Sequence, residues 1–376
     1  MMAIQALLGI LSTGAGAQGL APVIAPASTS VTAFVGVTES RRPGRPVQVG
    51  NWAEFAEKFA LAPDESQLAQ AVALYFENGG TDPWIVLASG PARVADALSR
   101  LGQCNIVCLP GIDDEDALTA AVEFCGDRGA MLLVDPPADC DTAAEAGAWL
   151  TNHSDLISPN VAAYVPWVDV AGVGAVPPSG AVAGIFARTD VSRGVWKAPA
   201  GVEAGVRGAT GPVTSPNDAE CQGLNGLNVN ALRTMPGRGL VVWGARTLSS
   251  NSEWRYVPVR RLGLFLEESI SEGTHWVVFE PNDEPLWAKI RTSVGNFMMD
   301  LWRQGALQGA KPEEAFFVKC DRETTTAADI DDGVCNVLIG FAPLKPAEFT
   351  IIRVQKRILQ PSIVLPRTKR LRPRGR

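Results

Sequence analysis

The sequence predicts an α/β protein: a mixed α/β core, a C-terminal α+β domain and extended arms at the chain ends. Three observations predict it. Between residues 28 and 170, apolar runs that read as strands alternate with amphipathic runs that read as helices. That order argues for a largely parallel sheet covered on both faces. Residues 228–348 form a Trp-rich α/β unit with the longest amphipathic helix. The β-branched run EFTIIRVQKRI (348–358) then leaves that unit with no return connection. A strand so placed must pair with its own sheet or with another molecule's.

Residues 1–27, rich in Ala, Gly and Ser and carrying Pro22 and Pro26, read as an arm. STSVTAFVGVTE (28–39) is the first strand; RRPGRP (41–46) is a turn, and a helix capped by Asn51 follows. The next helix carries Leu68, Val72, Tyr75 and Phe76 at helical spacing and is stopped by Gly79. Strands at 83–89, 104–110, 130–137 and 160–170 are separated by helices, one with Asp113, Asp114, Glu115 and Asp116 loaded at its start. Residues 168–178 read as a proline-bearing loop, and a helix starts at Ser179.

Residues 191–227 break the alternation, with Trp196 as an anchor in a Gly- and Pro-bracketed loop. NVNALRTM and GLVVWGARTL pair across the turn at 236–239. WRYVPVRRLGLFLEESISEG reads as strand then helix, and WVVFEPND as a strand. The long helix carries Trp287, Ile290, Val294, Phe297, Met298 and Leu301 along one stripe. EAFFVKCD and GVCNVLIGFAPLKP are strands around a loop. The expected organisation is an arm at 1–27, an α/β domain at 28–190, a C-terminal domain at 191–348 with a bracing loop at 191–227, and a linking strand with basic tail at 349–376.

At 376 residues the chain is long enough for two or three cores. Net charge is −7, unevenly spread: residues 349–376 hold nine Lys or Arg and no acid, leaving 24 bases against 40 acids in 1–348, a net of −16. An acidic body argues against a direct nucleic-acid partner. The basic tail instead suits the acidic surface of a neighbour. Seven cysteines, odd in number and without CxxC, read as buried thiols in a reducing compartment. The apolar stretch near the N-terminus lacks the positive flank of a secretory signal, and no run has the length and flanks of a membrane span.

No constellation marks a catalytic, cofactor or metal site. GAGAQG (14–19) matches GxGxxG, but Pro22 and Pro26 stand where the helix should open. There is no GxxxxGK[ST], HExxH or GxSxG. His153, beside Ser154 and Asp155, reads as a helix-end or surface residue, and His275 as a strand-edge residue. Asp329, Asp331 and Asp332 lack the oxygen spacing of a calcium loop and read as a solvated turn.

Several segments, in order, resemble the contractile tail sheath family: VPPSGAVAGIFARTD (176–190), RGVWKAPAG (193–201), LNVNALRTMPGRGLVVWGARTLS (227–249), WRYVPVRRLGLFLEESI (254–270), WVVFEPNDEPLWAKIRTSVGNFMMDLWRQGALQG (276–309) and PLKPAEFTIIRVQ (343–355). With STSVTAFVGVTE and VQVGNWAEFAEKF, the resemblance covers most of the chain beyond residue 27. It implies a non-enzymatic structural subunit that stacks around an inner tube and contracts without ATP to drive that tube through a target envelope. Terminal arms would complete neighbours' sheets.

Phe349, Thr350, Ile351, Ile352, Arg353, Val354 and Gln355 are then the expected intersubunit strand, with residues 15–27 as the opposite arm. Arg367, Lys369, Arg370, Arg372, Arg374 and Arg376 form a basic extension beyond the family's usual end. Expected partners are copies of the chain, the inner tail tube protein, and baseplate and tail terminator proteins, with no nucleic acid, membrane insertion or cofactor. The expected location is a virion tail assembled in the host cytoplasm, or the bacterial cytoplasm for an injection system. Lys289 and Arg291 are candidates for tube contact, or part of a solvated helix face. The alternatives are a non-polymerising baseplate or adaptor component, and an α/β enzyme whose site has no motif.

Overall fold

The computed structural model describes residues 7–8, 21–38, 44–61, 66–344 and 350–357. Its first strands are β1 (Leu7–Leu8), β2 (Thr32–Val37) and β3 (Val47–Gln48). Helix α1 (Trp52–Phe59) starts where Asn51 accepts a hydrogen bond from the Glu54 amide and ends at a left-handed Ala60. Helix α2 (Gln67–Glu77) is capped by Ser66 and buries Leu68, Val72 and Tyr75. The pattern then alternates: β4 (Trp84–Ala88), α3 (Val94–Leu98), β5 (Ile106–Cys108), α4 (Glu115–Arg128), β6 (Met131–Val134), α5 (Ala143–Asn152) and β7 (Val161–Val165).

The run at 160–170, expected as one strand, breaks at Pro166, which lacks the N–H that a ladder needs and follows a cis peptide bond. The chain turns there into a hairpin of β8 (Val168–Val170) and β9 (Gly174–Val176), where the sequence suggested a loop. Helix α6 (Ser179–Arg193) follows, then β10 (Gly211–Pro212), which pairs with β8 to complete a small sheet. Helix α7 (Asp218–Gly226) carries a capping box of Asn217 and Glu220, and β11 (Asn230–Met235) and β12 (Gly239–Val242) form the expected hairpin.

The main sheet has eight strands in the order β12-β11-β7-β6-β5-β2-β4-β3. Its six central strands are parallel, and the two edge strands are antiparallel. The pleat sends alternate residues to opposite faces. Ala33 and Val35 of β2 join a core with α3, α4, α5 and α7. Phe34 faces α1, α2 and α6. Residues 179–187 of α6 are all buried, because Gly180 and Gly184 let its backbone lie against α2. A Cβ at Gly180 would collide with the Ala71 carbonyl, and one at Gly184 with that of Tyr75.

The remaining helices and strands are α8 (Val257–Gly273), α9 (Glu284–Arg303), α10 (Pro312–Ala315), β13 (Phe316–Lys319), α11 (Ala327–Asp331), β14 (Val334–Phe341) and β15 (Thr350–Arg357). WVVFEPND, expected as a strand, is a turn between α8 and α9. Val277 and Val278 are buried under it, and Phe279 takes a left-handed φ of 70°. Its polar end caps instead of extending: Asp283 accepts from the Leu286 amide at 3.2 Å, and Asn282 donates to the Val334 carbonyl at 2.9 Å. All six residues of the predicted α9 stripe are buried.

Candidate assembly interface

The second sheet runs β1-β15-β14-β13. Strand β14 is central. It pairs antiparallel with β13 from Phe316↔Phe341 to Lys319↔Leu338, and with β15 from Val334↔Arg357 to Phe341↔Thr350. Strand β1 pairs parallel to β15 through Leu7↔Gln355 and Leu8↔Lys356. The outer half of the sheet is therefore made by the two ends of the described chain. Phe349 and residues 358–376, with the basic extension, lie outside the described residues, as do most of the N-terminal arm and the GAGAQG motif.

Inward residues Cys335, Val337, Ile339 and Phe341 of β14 pack on Leu262, Phe265, Leu266 and Ile270 of α8 and on the α9 stripe. Gly340 faces the other way, and a Cβ there would strike the Phe317 ring. The Cys320 and Cys335 sulfurs are 3.7 Å apart. All seven cysteines are buried thiols, as the sequence suggested, and burial pushes those of Cys104 and Cys140 up to about 12.

A strap at the N-terminal side ties this unit together. Ile24 is buried against α8 and α9 in the third core. Ser293 of α9 donates to the Pro22 carbonyl at 2.7 Å, and Ser269 of α8 accepts from the Ala27 amide at 3.0 Å. Arg261 of α8 donates to the Thr29 carbonyl at 2.8 Å and to both oxygens of Asp190 on α6 at 2.8 and 2.6 Å. Sequence reasoning missed this clasp: nothing in the run VRRLG separates the fully buried Arg261 from the half-buried Arg260 beside it.

Of the two basic candidates on α9, Arg291 is occupied, bonded to the Cys320 carbonyl and to Glu284. Lys289 is exposed.

Five of the residues weighed for chemistry, His153, His275, Asp113, Asp114 and Asp329, have structural partners. His153 stacks on Trp149, and its Nδ1 lies 2.9 Å from the Trp149 carbonyl. The Nδ1 of His275 lies 2.8 Å from the Glu272 carbonyl. Asp113 accepts from the Trp149 indole at 2.9 Å, and Asp114 caps α4. Asp329 closes a capping box with Thr326, which holds its carboxyl below the usual range. Among the described residues, no group of three or more His, Cys, Asp or Glu could hold a metal ion, and no helix is long and apolar enough to cross a membrane.

The sequence also gave no warning of Asp135. It follows β6 and is buried, taking hydrogen bonds from the Ser179 amide at 2.7 Å and hydroxyl at 2.5 Å. Burial raises its pKa to about 7 against those bonds.

The model of the phage tail sheath protein central domain matches residues 89–248, and that of the phage tail sheath C-terminal domain matches 249–357. A prophage major tail sheath protein of Pseudomonas aeruginosa is 28% identical over 274 residues, covering 71% of this chain and 69% of that protein. The tail sheath protein of Burkholderia phage BcepMu is 32% identical over 146 residues, covering 36% of this chain and 30% of that protein. Among solved structures, the contracted sheath complex of the PVC extracellular contractile injection system matches with a TM-score of 0.78 at 29% identity, covering 93% of this chain and 97% of that one. The contracted helical sheath of the anti-feeding prophage matches with a TM-score of 0.73 at 31% identity, covering 91% and 96%. Taken with the mixed α/β fold and a sheet completed by the chain's own ends, these likenesses show that the chain belongs to the contractile tail sheath family.

Proposed function

We propose that this chain is the sheath subunit itself: it polymerises helically around an inner tail tube, and the sheath's contraction drives that tube through a target envelope. The observation that carries this reading is the β1-β15-β14-β13 sheet. Strand β14 offers an antiparallel register eight residues long to β15, and any copy of β15 satisfies the same backbone groups. Exchanging an identical strand between copies costs little in the sheet and links the copies. Residues 349–355 are on this reading the intersubunit strand, and the N-terminal arm is its counterpart. Such a mesh lets rigid bodies rotate and slide during contraction without parting.

The subunit's role is mechanical, not enzymatic, and its other partners are the inner tube, baseplate and terminator proteins. It assembles in the cytoplasm of the host or producing bacterium and resides in the tail sheath. Arg367, Lys369, Arg370, Arg372, Arg374 and Arg376 dock on the acidic body of a neighbour, whose residues 1–348 carry a net −16. A second reading, a baseplate component, draws support from the likeness to chains in the anti-feeding prophage baseplate structures, with TM-scores of 0.71 and 0.74. Negative-stain microscopy of the full chain beside one ending at residue 348 tests both. Tubes from the full chain alone favour the strand-linked sheath. Small particles from both, even with inner tube co-expressed, favour the baseplate component.

A further inference from the structure

An open cavity of about 580 Å³ lies where the edge of the main sheet meets the start of α8. Trp196, Trp243, Tyr256, Pro258 and Leu344 line it, and Lys197 and Arg246 supply positive charge. Arg246 donates to the Asn225 carbonyl at 2.6 Å and lies 6.0 Å over the Tyr256 ring. Among the described residues, no carboxylate pairs with it. Lys197 has only a distant acid, Glu203 at 3.9 Å, so an aromatic hollow whose Arg246 lacks a carboxylate suits a guest that is apolar at its tip and acidic beside it.

The same chain presents such a guest. Phe279 is 67% exposed and held at φ 70°, a conformation costly for a bulky side chain. Glu280, Asp283 and Glu284 follow it on the exposed turn, and among the described residues only Glu284 of the three has a basic partner, Arg291. This projection follows the C-terminal end of α8, whereas the hollow is built at its N-terminal end from Tyr256, Pro258 and Leu262. Eleven helical residues lie between Leu262, the last α8 residue of the hollow, and the end of α8, a span of about 17 Å, so the two features of one chain do not meet.

We propose that the Phe279–Glu280 projection of one copy seats in the Trp196–Trp243–Tyr256 hollow of a second, with Glu280 and Asp283 facing Lys197 and Arg246. Different patches meeting head to tail make an open-ended contact rather than a closed dimer. The inference rests on the sheath reading and adds to strand exchange a second, side-chain contact.

The test mixes isotopically light and heavy full-length chains, assembles them and applies a carbodiimide, which joins amines to carboxylates in contact. The expected product joins Lys197 of one isotope to Glu280 or Asp283 of the other. The Lys197–Glu203 pair, 3.9 Å apart within a chain, serves as the same-isotope control. Phe279→Gly fits φ 70° without strain and should leave thermal stability equal or higher, while raising the concentration needed for assembly about tenfold or more. Arg246→Glu should impair assembly similarly, with Glu280→Arg restoring it in the double variant. Assemblies that lack the cross-isotope link, with Phe279→Gly assembling as readily as the parent, would overturn the contact and leave the sheath reading standing. Failure to assemble even with inner tube would remove the sheath reading and the contact with it.

Discussion

Arg261 and Asp190 form an ion pair 2.6 Å apart with side chains only 3% and 4% exposed, joining α8 to α6. The guanidinium also lies 4.7 Å over the Phe186 ring and bonds the Thr29 carbonyl, so one side chain couples the main sheet, the helical layer beneath the second sheet and the strap at residues 22–29. If force reaches the subunit through its arms, as proposed above, this clasp is placed to hold its parts together.

Breaking that pair from one side leaves a buried charge alone. Arg261→Ala should cost about 3–5 kcal/mol in urea unfolding, while Arg261→Met with Asp190→Leu should recover most of it. If the single variant loses less than about 1 kcal/mol, the pair does not hold the units together.

Asp135 makes stability depend on pH in a direction unusual for an acid. Its folded pKa is raised to about 7 from an ordinary 3.8. The folded state therefore binds the proton more tightly, and the stabilisation from this group is full below about pH 4 and lost as pH rises toward 7. The swing is at most about 4 kcal/mol. Glu267, also raised to about 7 by burial, adds a slope of the same sign. Asp135→Asn keeps an oxygen for the Ser179 amide and should flatten, without abolishing, the fall in melting temperature between pH 5 and 7.5. Parallel curves for the two proteins would show that Asp135 does not titrate there.

Gly340 lies under Phe317 on adjacent strands. Gly340→Val should overpack the second sheet by about 1–3 kcal/mol, and Phe317→Ala in the same chain should relieve part of that loss. Thermal melts of the two single variants and the double variant measure the coupling. Strict additivity would mean that the ring moves aside freely.

The basic extension should make assembly salt-sensitive. A chain ending at residue 366 should assemble less readily at low salt and show a weaker dependence on ionic strength, because exposed charges are screened over about 10 Å at 0.1 M salt. Light scattering from 20 to 500 mM salt compares the two. Identical curves would rule out docking of the tail on an acidic neighbour.

The sequence by itself determined the layered α/β character, helices α1 to α6, α8 and α9, the cap at Asn51 and the acid-loaded start of α4, the buried stripe of α9 and the burial of all seven cysteines. It also carried the family resemblance. Each of these is encoded by spacing or side-chain chemistry within one short window. Tertiary structure decided what depends on partners distant in the chain. WVVF is apolar enough for a strand, yet it forms a turn because Asn282 finds Val334 and Val277 enters a core built by α8 and α9. The strand at 160–170 divides at Pro166 and sends its second half to a different sheet. Arg261, Asp135 and Arg246 look like any other charged residues in their windows. Their burial and pairing are set by residues 44 to 232 positions away for the first two, and by the convergence of five chain segments for the third. Local pattern records which face a residue shows, but only the folded chain brings a distant partner, or none, to meet it.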